Sequence, residues 1–405
     1  MEEKQRKALA VVVVVALIAA ASFLLPQITG MAVSGAGQGK AKGNVCMKEC
    51  MGINADAYDA QSDLTQYCVS QCNPAIENSA CAEHADGCCV PFSGDPDCGG
   101  AAGGGETCFL ESAVVLDPAK QEKGAISGNI VVWQDLRNGN HDIYMRDLST
   151  GIESPVATGA ANQFTPDVDG NVVVWLESTD SVNYKLYMKD LITSTVTEIA
   201  SNVKTNAPKI SGGKIVWVSK NTGIQDIYMY DISSGATTQI TDEWAYQGNP
   251  YTDGNRIVWE DIRAGLQTDI YMYDISTGIE TQITSTIKNE VKPSIDGNRI
   301  VWEYSELPYE IYMYDISTGT TTQITATSDY YEQDPEISGD LIVYQKRSVD
   351  GQIWDVYMYD ISTGTERAVT SSASHEYECS IDGNKIVWMD DRNGNYDIYM
   401  AEYTC

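Results

Sequence analysis

The stretch Lys292-Pro-Ser-Ile-Asp-Gly-Asn-Arg-Ile-Val-Trp302 decides the fold because it returns along the chain, as do the Glu310-Ile-Tyr-Met-Tyr-Asp-Ile-Ser-Thr-Gly319 and Thr322-Gln-Ile-Thr325 that come after it. From about residue 120 the sequence repeats with a period near 42. The aromatic that closes Ile-Val-Trp recurs at Trp133, Trp175, Trp217, Trp259, Trp302, Tyr344 and Trp388. The Tyr of Ile-Tyr-Met recurs at Tyr144, Tyr187, Tyr228, Tyr271, Tyr312, Tyr357 and Tyr399. Each copy holds four short segments rich in Ile, Val, Tyr, Trp and Thr, which read as strands. Asp-Gly-Asn or Ser-Gly-Gly separates the first two and Ser-Thr-Gly the last two, both tight-turn chemistry. The expectation is all-β: a seven-bladed β-propeller of four-stranded antiparallel blades. The repeated aromatics then fill the layers between blades.

The seventh copy ends at Cys405 before any fourth strand. Phe109-Leu-Glu-Ser-Ala-Val-Val-Leu116 is strand-like and lies upstream of the first copy at the right interval. An N-terminal strand is therefore expected to complete the last blade. Cys108 and Cys405 fall where the missing third-to-fourth turn would be, which predicts a disulfide in its place. Cys379 is left as a buried free thiol.

Constant spacing marks one face and variable spacing the other. First-strand anchor to second-strand aromatic is always 7 residues, as in Ile126 to Trp133. Ile-Tyr-Met to the fourth-strand anchor is always 12, as in Tyr271 to Ile283. Second-to-third connections vary, and these share the opposite face with the blade-to-blade connections. Variable loops on a rigid scaffold are where binding is placed. They carry Phe164, Trp244, Tyr246, Glu290, Tyr330, Tyr331, Glu332, His375, Glu376 and Tyr377. Aromatics beside carboxylates and amides stack on sugars or hold peptide side chains; equally, they can pack over the channel mouth. The Asp135–Asp142 and Asp390–Asp397 segments faintly resemble calcium loops but lack the alternating ligands. Asn-Gly in each reads as a hairpin turn. No metal or cofactor motif is read.

The repeat Pro-x-Ile-x-Gly-Asn-x-Ile-Val-Trp…Asp-Ile-Tyr-Met-Tyr-Asp-Ile-Ser-Thr-Gly-x-x-Thr-Gln-Ile-Thr resembles the TolB-like propeller repeats of archaeal cell-surface proteins. The resemblance covers about residues 120 to 405. It implies surface or protein-binding roles and transfers no catalytic residue. TolB has six blades and an α/β domain, whereas this chain reads as seven blades without one.

Five segments are expected: an anchor or signal at 1–30, a spacer at 31–45, a cysteine-rich module at 46–98, a Gly-rich linker at 99–105, and the propeller at 106–405. Lys4, Arg6 and Lys7 precede an uncharged apolar run from Ala8 to Leu25. That pattern exports the remainder of the chain, as a membrane-anchored or a secreted protein. Nine of eleven cysteines lie between 46 and 108. Cys46 and Cys50, and Cys68 and Cys72, are spaced to share helix faces, which predicts a hairpin stapled by Cys46–Cys72 and Cys50–Cys68. Cys81, Cys88, Cys89 and Cys98 form a turn-rich knot of undetermined pairing.

The chain carries 57 Asp+Glu against 26 Lys+Arg, a net charge of −31. So acidic a surface repels phosphate backbones, which excludes nucleic acid as a partner. With three His and no Gly-x-Ser-x-Gly elbow, the expectation is a non-catalytic surface binding or adhesion protein recognising a cell-surface protein, a peptide or a glycan. The alternatives are a propeller polysaccharide lyase or glycosidase, and a structural surface-coat subunit.

Overall fold

The computed structural model describes Cys108–Cys405, apart from residues 205 and 220–224. The apolar run, the cysteine-rich module with its two expected helix-pairing bridges, and the linker lie outside the described residues. Among the described residues no helix is long and apolar enough to cross a membrane.

The described chain is all-β and built as a β-propeller. It begins with β1 (Phe109–Val115). Next come β2 (Gln121–Ser127), β3 (Ile130–Asp135), β4 (Asp142–Asp147) and β5 (Ile152–Ala157). The second group is β6 (Asn162–Asp169), β7 (Val172–Ser178), β8 (Tyr184–Asp190) and β9 (Val196–Val203). After it run β10 (Lys209–Ser211), β11 (Lys214–Ser219), β12 (Asp226–Asp231) and β13 (Ala236–Gln239). The fourth group is β14 (Gln247–Thr252), β15 (Arg256–Asp261), β16 (Asp269–Asp274) and β17 (Ile279–Gln282). The fifth is β18 (Glu290–Asp296), β19 (Arg299–Tyr304), β20 (Glu310–Asp315) and β21 (Thr320–Gln323). The last strands are β22 (Tyr330–Ser338), β23 (Leu341–Ser348), β24 (Asp355–Asp360), β25 (Thr365–Ala368), β26 (Glu376–Asp382), β27 (Lys385–Asp390) and β28 (Asp397–Tyr403).

Four four-stranded antiparallel meanders run in chain order: β2–β5, β14–β17, β18–β21 and β22–β25. An eight-stranded sheet joins β6–β9 to β10–β13 through the single pair Val203 and Ser219. The remaining sheet has the order β1-β28-β27-β26, so the first strand completes the last sheet. Its register runs from Phe109 opposite Tyr403 to Val115 opposite Ile398. Cys108 and Cys405 are disulfide-bonded with Cα atoms 5.1 Å apart, and Thr404 N donates to Cys108 O at 2.9 Å.

The innermost strands touch in the order β2, β6, β10, β14, β18, β22, β26, and β26 touches β2. The cores lie between successive sheets. Val258, Ile270 and Met272 of one sheet pack on Ile295, Ile300 and Trp302 of the next. The closing seam has the same composition, with Val387, Ile398 and Met400 on Ile126, Val131 and Trp133. The six repeated Trp are at most 2% exposed. Most stack on the Tyr of the neighbouring strand, as Trp302 on Tyr312 at 6.1 Å.

On the tight-turn face, hairpin amides tie several sheets to their predecessors. Gly170 N donates to Ser127 Oγ (3.0 Å), Gly339 N to Asp296 Oδ2 (2.6 Å) and Gly383 N to Ser338 Oγ (2.9 Å). Across the closing seam, Gly128 N donates to Asp382 Oδ2 (2.5 Å). Where Gly212 meets Gly254 the backbones abut instead. A Cβ on Gly212 would lie 2.9 Å from the Gly254 Cα, which explains two glycines there.

Candidate functional site at the channel mouth

Six of the seven innermost strands break register near their middle, and the break places one residue at positive φ. These residues are Lys123, Thr165, Asn249, Lys292, Asp334 and Glu378, with φ between 46° and 56°. Side chains rarely adopt this region, at a cost of about 1–3 kcal/mol each. The neighbouring sheet holds the strain in place. Thr165 N donates to Gln134 Oε1 (2.6 Å) and Lys292 N to Glu260 Oε1 (2.8 Å). Asp334 N donates to Glu303 Oε2 (3.3 Å) and Lys123 N to Met389 Sδ (3.2 Å). Each acceptor is the residue after the core Trp of the preceding repeat. The bulges turn one side chain per strand over a cavity of about 500 Å³ lined by residues from every innermost strand.

Two residues after the bulge position, or at its equivalent in β10, the repeats carry Ala125, Asp167, Lys209, Tyr251, Ser294, Glu336 and Ser380. Here the chemistry converges. Lys209 Nζ reaches across to Glu336 Oε1 at 3.0 Å and sits 4.7 Å from the Tyr251 ring centre. Asp167 Oδ2 accepts from Ile210 N at 2.8 Å. Lys209, Tyr251 and Glu336 line the cavity, and the Lys209 and Glu336 side chains keep 22% and 16% exposure to it. Burial pushes the Asp167 carboxyl up to about 6, against the pull of Lys209. Burial, with Glu336 close by, holds the Tyr251 phenol well above its ordinary range. Burial works against the Lys209 cation, but Glu336, Tyr251 and Asp167 together keep its pKa well above the ordinary value.

The residues picked out in the sequence fall into three groups. Glu290, Glu332 and Glu376 are at most 1% exposed and occupy the inter-sheet position that Gln121, Gln163 and Gln247 fill elsewhere. Glu376 accepts from Ser372, from Thr370 Oγ1 (3.2 Å) and from Ser374 Oγ (3.2 Å), and Glu290 accepts from Thr286. These carboxylates hold the sheets together and do not face the cavity. Tyr331, His375 and Tyr377 come together with residues not singled out in the sequence, Arg347, Trp354 and Tyr396. Tyr330 lies beneath Lys346 at 4.7 Å. Phe164 packs between His141 (5.2 Å) and Tyr184 (5.9 Å). Tyr246 is half-buried, its ring against Gly248, and Trp244 stands 93% exposed.

Burial drives Glu290 and Glu376 up to about 7, with Asp269 beside the first and Asp390 and Asp355 beside the second. Their folded pKa exceeds the unfolded one. The protonated side chains fit well at low pH, and that stability is lost as pH rises from about 4.5 to about 7. Glu290→Gln with Glu376→Gln is therefore expected to stabilise the fold at pH 8 by on the order of 1 kcal/mol per site, with little gain at pH 4. Glu332 has Lys346 Nζ at 3.4 Å, so Glu332→Gln gains nothing. Thermal unfolding at both pH values reads the difference; a loss of stability at pH 8 in the double variant refutes the assignment.

The two Asp-rich segments are hairpins whose leading carboxylates are occupied. Asp135 binds Arg137 (2.6 Å) and Trp133 Nε1 (2.9 Å), and Asp390 binds Arg392 (2.5 Å) and Trp388 Nε1 (3.3 Å). Among the described residues, no three His, Cys, Asp or Glu side chains assemble a group that could hold a metal ion.

The chain matches no family model and no curated protein. Solved structures share its fold. The β-propeller domain of the Trilobed protease from Pyrococcus furiosus, described as having an open velcro topology, is 13% identical with a TM-score of 0.57 over 70% of this chain and 95% of that one. An oligogalacturonate lyase in complex with manganese is 15% identical, TM-score 0.55, over 73% and 93%. A prolyl endopeptidase is 11% identical, TM-score 0.56, over 71% of this chain and only 50% of its own. The chain is thus a β-propeller protein. The lyase and the peptidases are enzymes built on this fold, so the expectation of a non-catalytic binding or adhesion protein is corrected to the coarser statement that the fold is one shared with enzymes.

Proposed function

We propose that this chain is a seven-bladed propeller enzyme that cleaves acidic oligosaccharides by β-elimination in the cavity at the channel mouth. The observation that carries this reading is the Lys209–Glu336 pair beside Tyr251, brought from three different repeats into one cavity. Coverage supports it too: the chain spans 93% of the lyase but about half of the peptidases, which leaves their other half without a counterpart in the match. The seven-blade reading rests on the circle of innermost strands and on the single-pair junction within the eight-stranded sheet.

Elimination beside a uronate carboxylate has three needs. A cation must offset the carboxylate as charge builds at the neighbouring carbon, a base must take the C5 proton, and an acid must protonate the departing O4. Lys209, held as a cation, serves the first. Its three donors allow it to keep Glu336 while binding the substrate carboxylate. Glu336 takes the C5 proton, the C4–O4 bond breaks, and Tyr251, held neutral, gives its proton to O4. One proton is taken, one is given, and no water is consumed. The structural neighbour bound to manganese raises metal assistance, but among the described residues no side-chain group fits a metal, and no step uses one.

Asp167, held near 6, favours a second reading: a glycosidase in which it is the general acid. Incubation with oligogalacturonate separates the two. Elimination yields an unsaturated product with new ultraviolet absorbance, whereas hydrolysis yields only new reducing ends. Neither product from any uronate-containing oligosaccharide would end the catalytic reading.

An extracellular setting, membrane-anchored or secreted, goes with this activity. The apolar run from Ala8 to Leu25, the Cys108–Cys405 bridge and the TolB-like repeat support it, since disulfides persist outside reducing compartments.

A further inference from the structure

Arginines of this chain are usually clamped by carboxylates, as Arg137, Arg263 and Arg392 are by Asp135, Asp261 and Asp390. Arg347, like Arg146 and Arg367, has no carboxylate within ion-pairing distance among the described residues, and of these three it is the one set against aromatic rings. Its guanidinium lies 5.1 Å from the Tyr331 ring centre and 4.9 Å from that of Trp354. Nη1 donates to Gly351 O at 2.7 Å, and Nε is enclosed without a partner. Nη2 makes no hydrogen bond among the described residues and is not enclosed, and an arginine set beside two rings with such a free donor is preorganised for a planar anion.

Further aromatic side chains lie near it. His375 stacks on Tyr377 at 5.3 Å and 11°, and Tyr377 meets Tyr396 edge-on at 6.2 Å. Tyr377 lies within electrostatic reach of Arg347 and precedes Glu378, which lines the cavity wall. The carboxylate on this surface, Asp391, is engaged through Oδ1 by His375 N at 2.8 Å. Aromatic faces for a sugar ring and one uncompensated cation, beside the strand that carries Glu378 to the cavity wall, point to one ligand class.

We propose that Arg347, beside Tyr331 and Trp354, together with the His375–Tyr377 stack, forms an outer subsite that holds a carboxylate-bearing sugar residue of the chain entering the cavity. This rests on the reading of the cavity as a site for acidic oligosaccharides, but it makes its own claim about binding.

The test is calorimetric titration of the full chain with pentagalacturonate and with cellopentaose, a neutral chain of the same length. Arg347→Gln is expected to weaken pentagalacturonate binding roughly tenfold, with Arg347→Lys in between, and to leave cellopentaose binding unchanged. Matching thermal unfolding of the variants shows that the fold is intact. Trp354→Ala is the second variant and should weaken both sugars. The subsite is overturned if Arg347→Gln binds pentagalacturonate like the wild type, if it loses both sugars equally, or if the wild type binds neither. Binding of pentagalacturonate that depends on Arg347 but never leads to cleavage would leave the subsite standing and remove the catalytic reading. Cleavage with Arg347-independent binding would do the reverse.

Discussion

Glu336→Gln is expected to lower turnover of an acidic oligosaccharide by about 10²–10⁴-fold, with substrate binding changed far less. The amide cannot accept the C5 proton, yet it keeps the size of the side chain and still offers an oxygen to Lys209. Lys209→Met should fail in another way, since it removes the cation that offsets the substrate carboxylate. Both affinity and turnover should then fall. Asp167→Asn discriminates the two chemistries. In elimination Asp167 lies beside the reacting groups and its loss is modest; in hydrolysis it is the acid, and its loss abolishes the reaction. Turnover and binding measured for the three variants at one pH decide the assignment. Wild-type turnover in Glu336→Gln would remove that residue as the base.

The repeat's fixed letters and its free letters tell different stories. Trp133, Trp302 and their counterparts recur because each fills the same inter-sheet layer, so the architecture is readable directly from their spacing. The closing strand is equally legible, because a missing fourth strand and a spare one sit at opposite ends of the repeats. The cavity is not legible in the same way. Asp167, Lys209, Tyr251 and Glu336 all occupy the variable letter in Pro-x-Ile or its equivalent, where no common residue type is needed to hold the fold. Aligning the repeats and asking which inward position is free to vary is the signal that finds them. The variable loops instead suggest Glu290, Glu332 and Glu376, whose burial comes from a tie between sheets that only the three-dimensional contacts reveal. Arg347 is silent in the sequence because a lone arginine carries no motif; its lack of a carboxylate partner is a fact of packing.

Replacing both Cys108 and Cys405 by Ser is expected to destabilise the propeller by about 2–5 kcal/mol, well beyond the effect of the buried-glutamate substitutions. The bridge spans 297 residues of sequence, so it restricts the unfolded chain severely. The native closure has other supports. β1 pairs with β28 along its length, Phe109 packs on Tyr403 at 5.4 Å, and Arg392 Nη1 meets Glu111 Oε1 at 2.5 Å. Those contacts should keep the double variant folded and closed under native conditions. Unfolding should therefore start by release of β1, which exposes Val114 and Val115 and the Val387–Ile398 side of the last sheet. Protease should then cut the variant first near residues 116–120, at sub-denaturing urea concentrations where the wild type resists. Here the two ends of the propeller are joined by seven strand residues and one covalent bond, so the ring should open at that seam before any other. Unchanged stability of the Cys108→Ser, Cys405→Ser variant, or first cleavage within another sheet, would show that the seam is not the weak point of the ring.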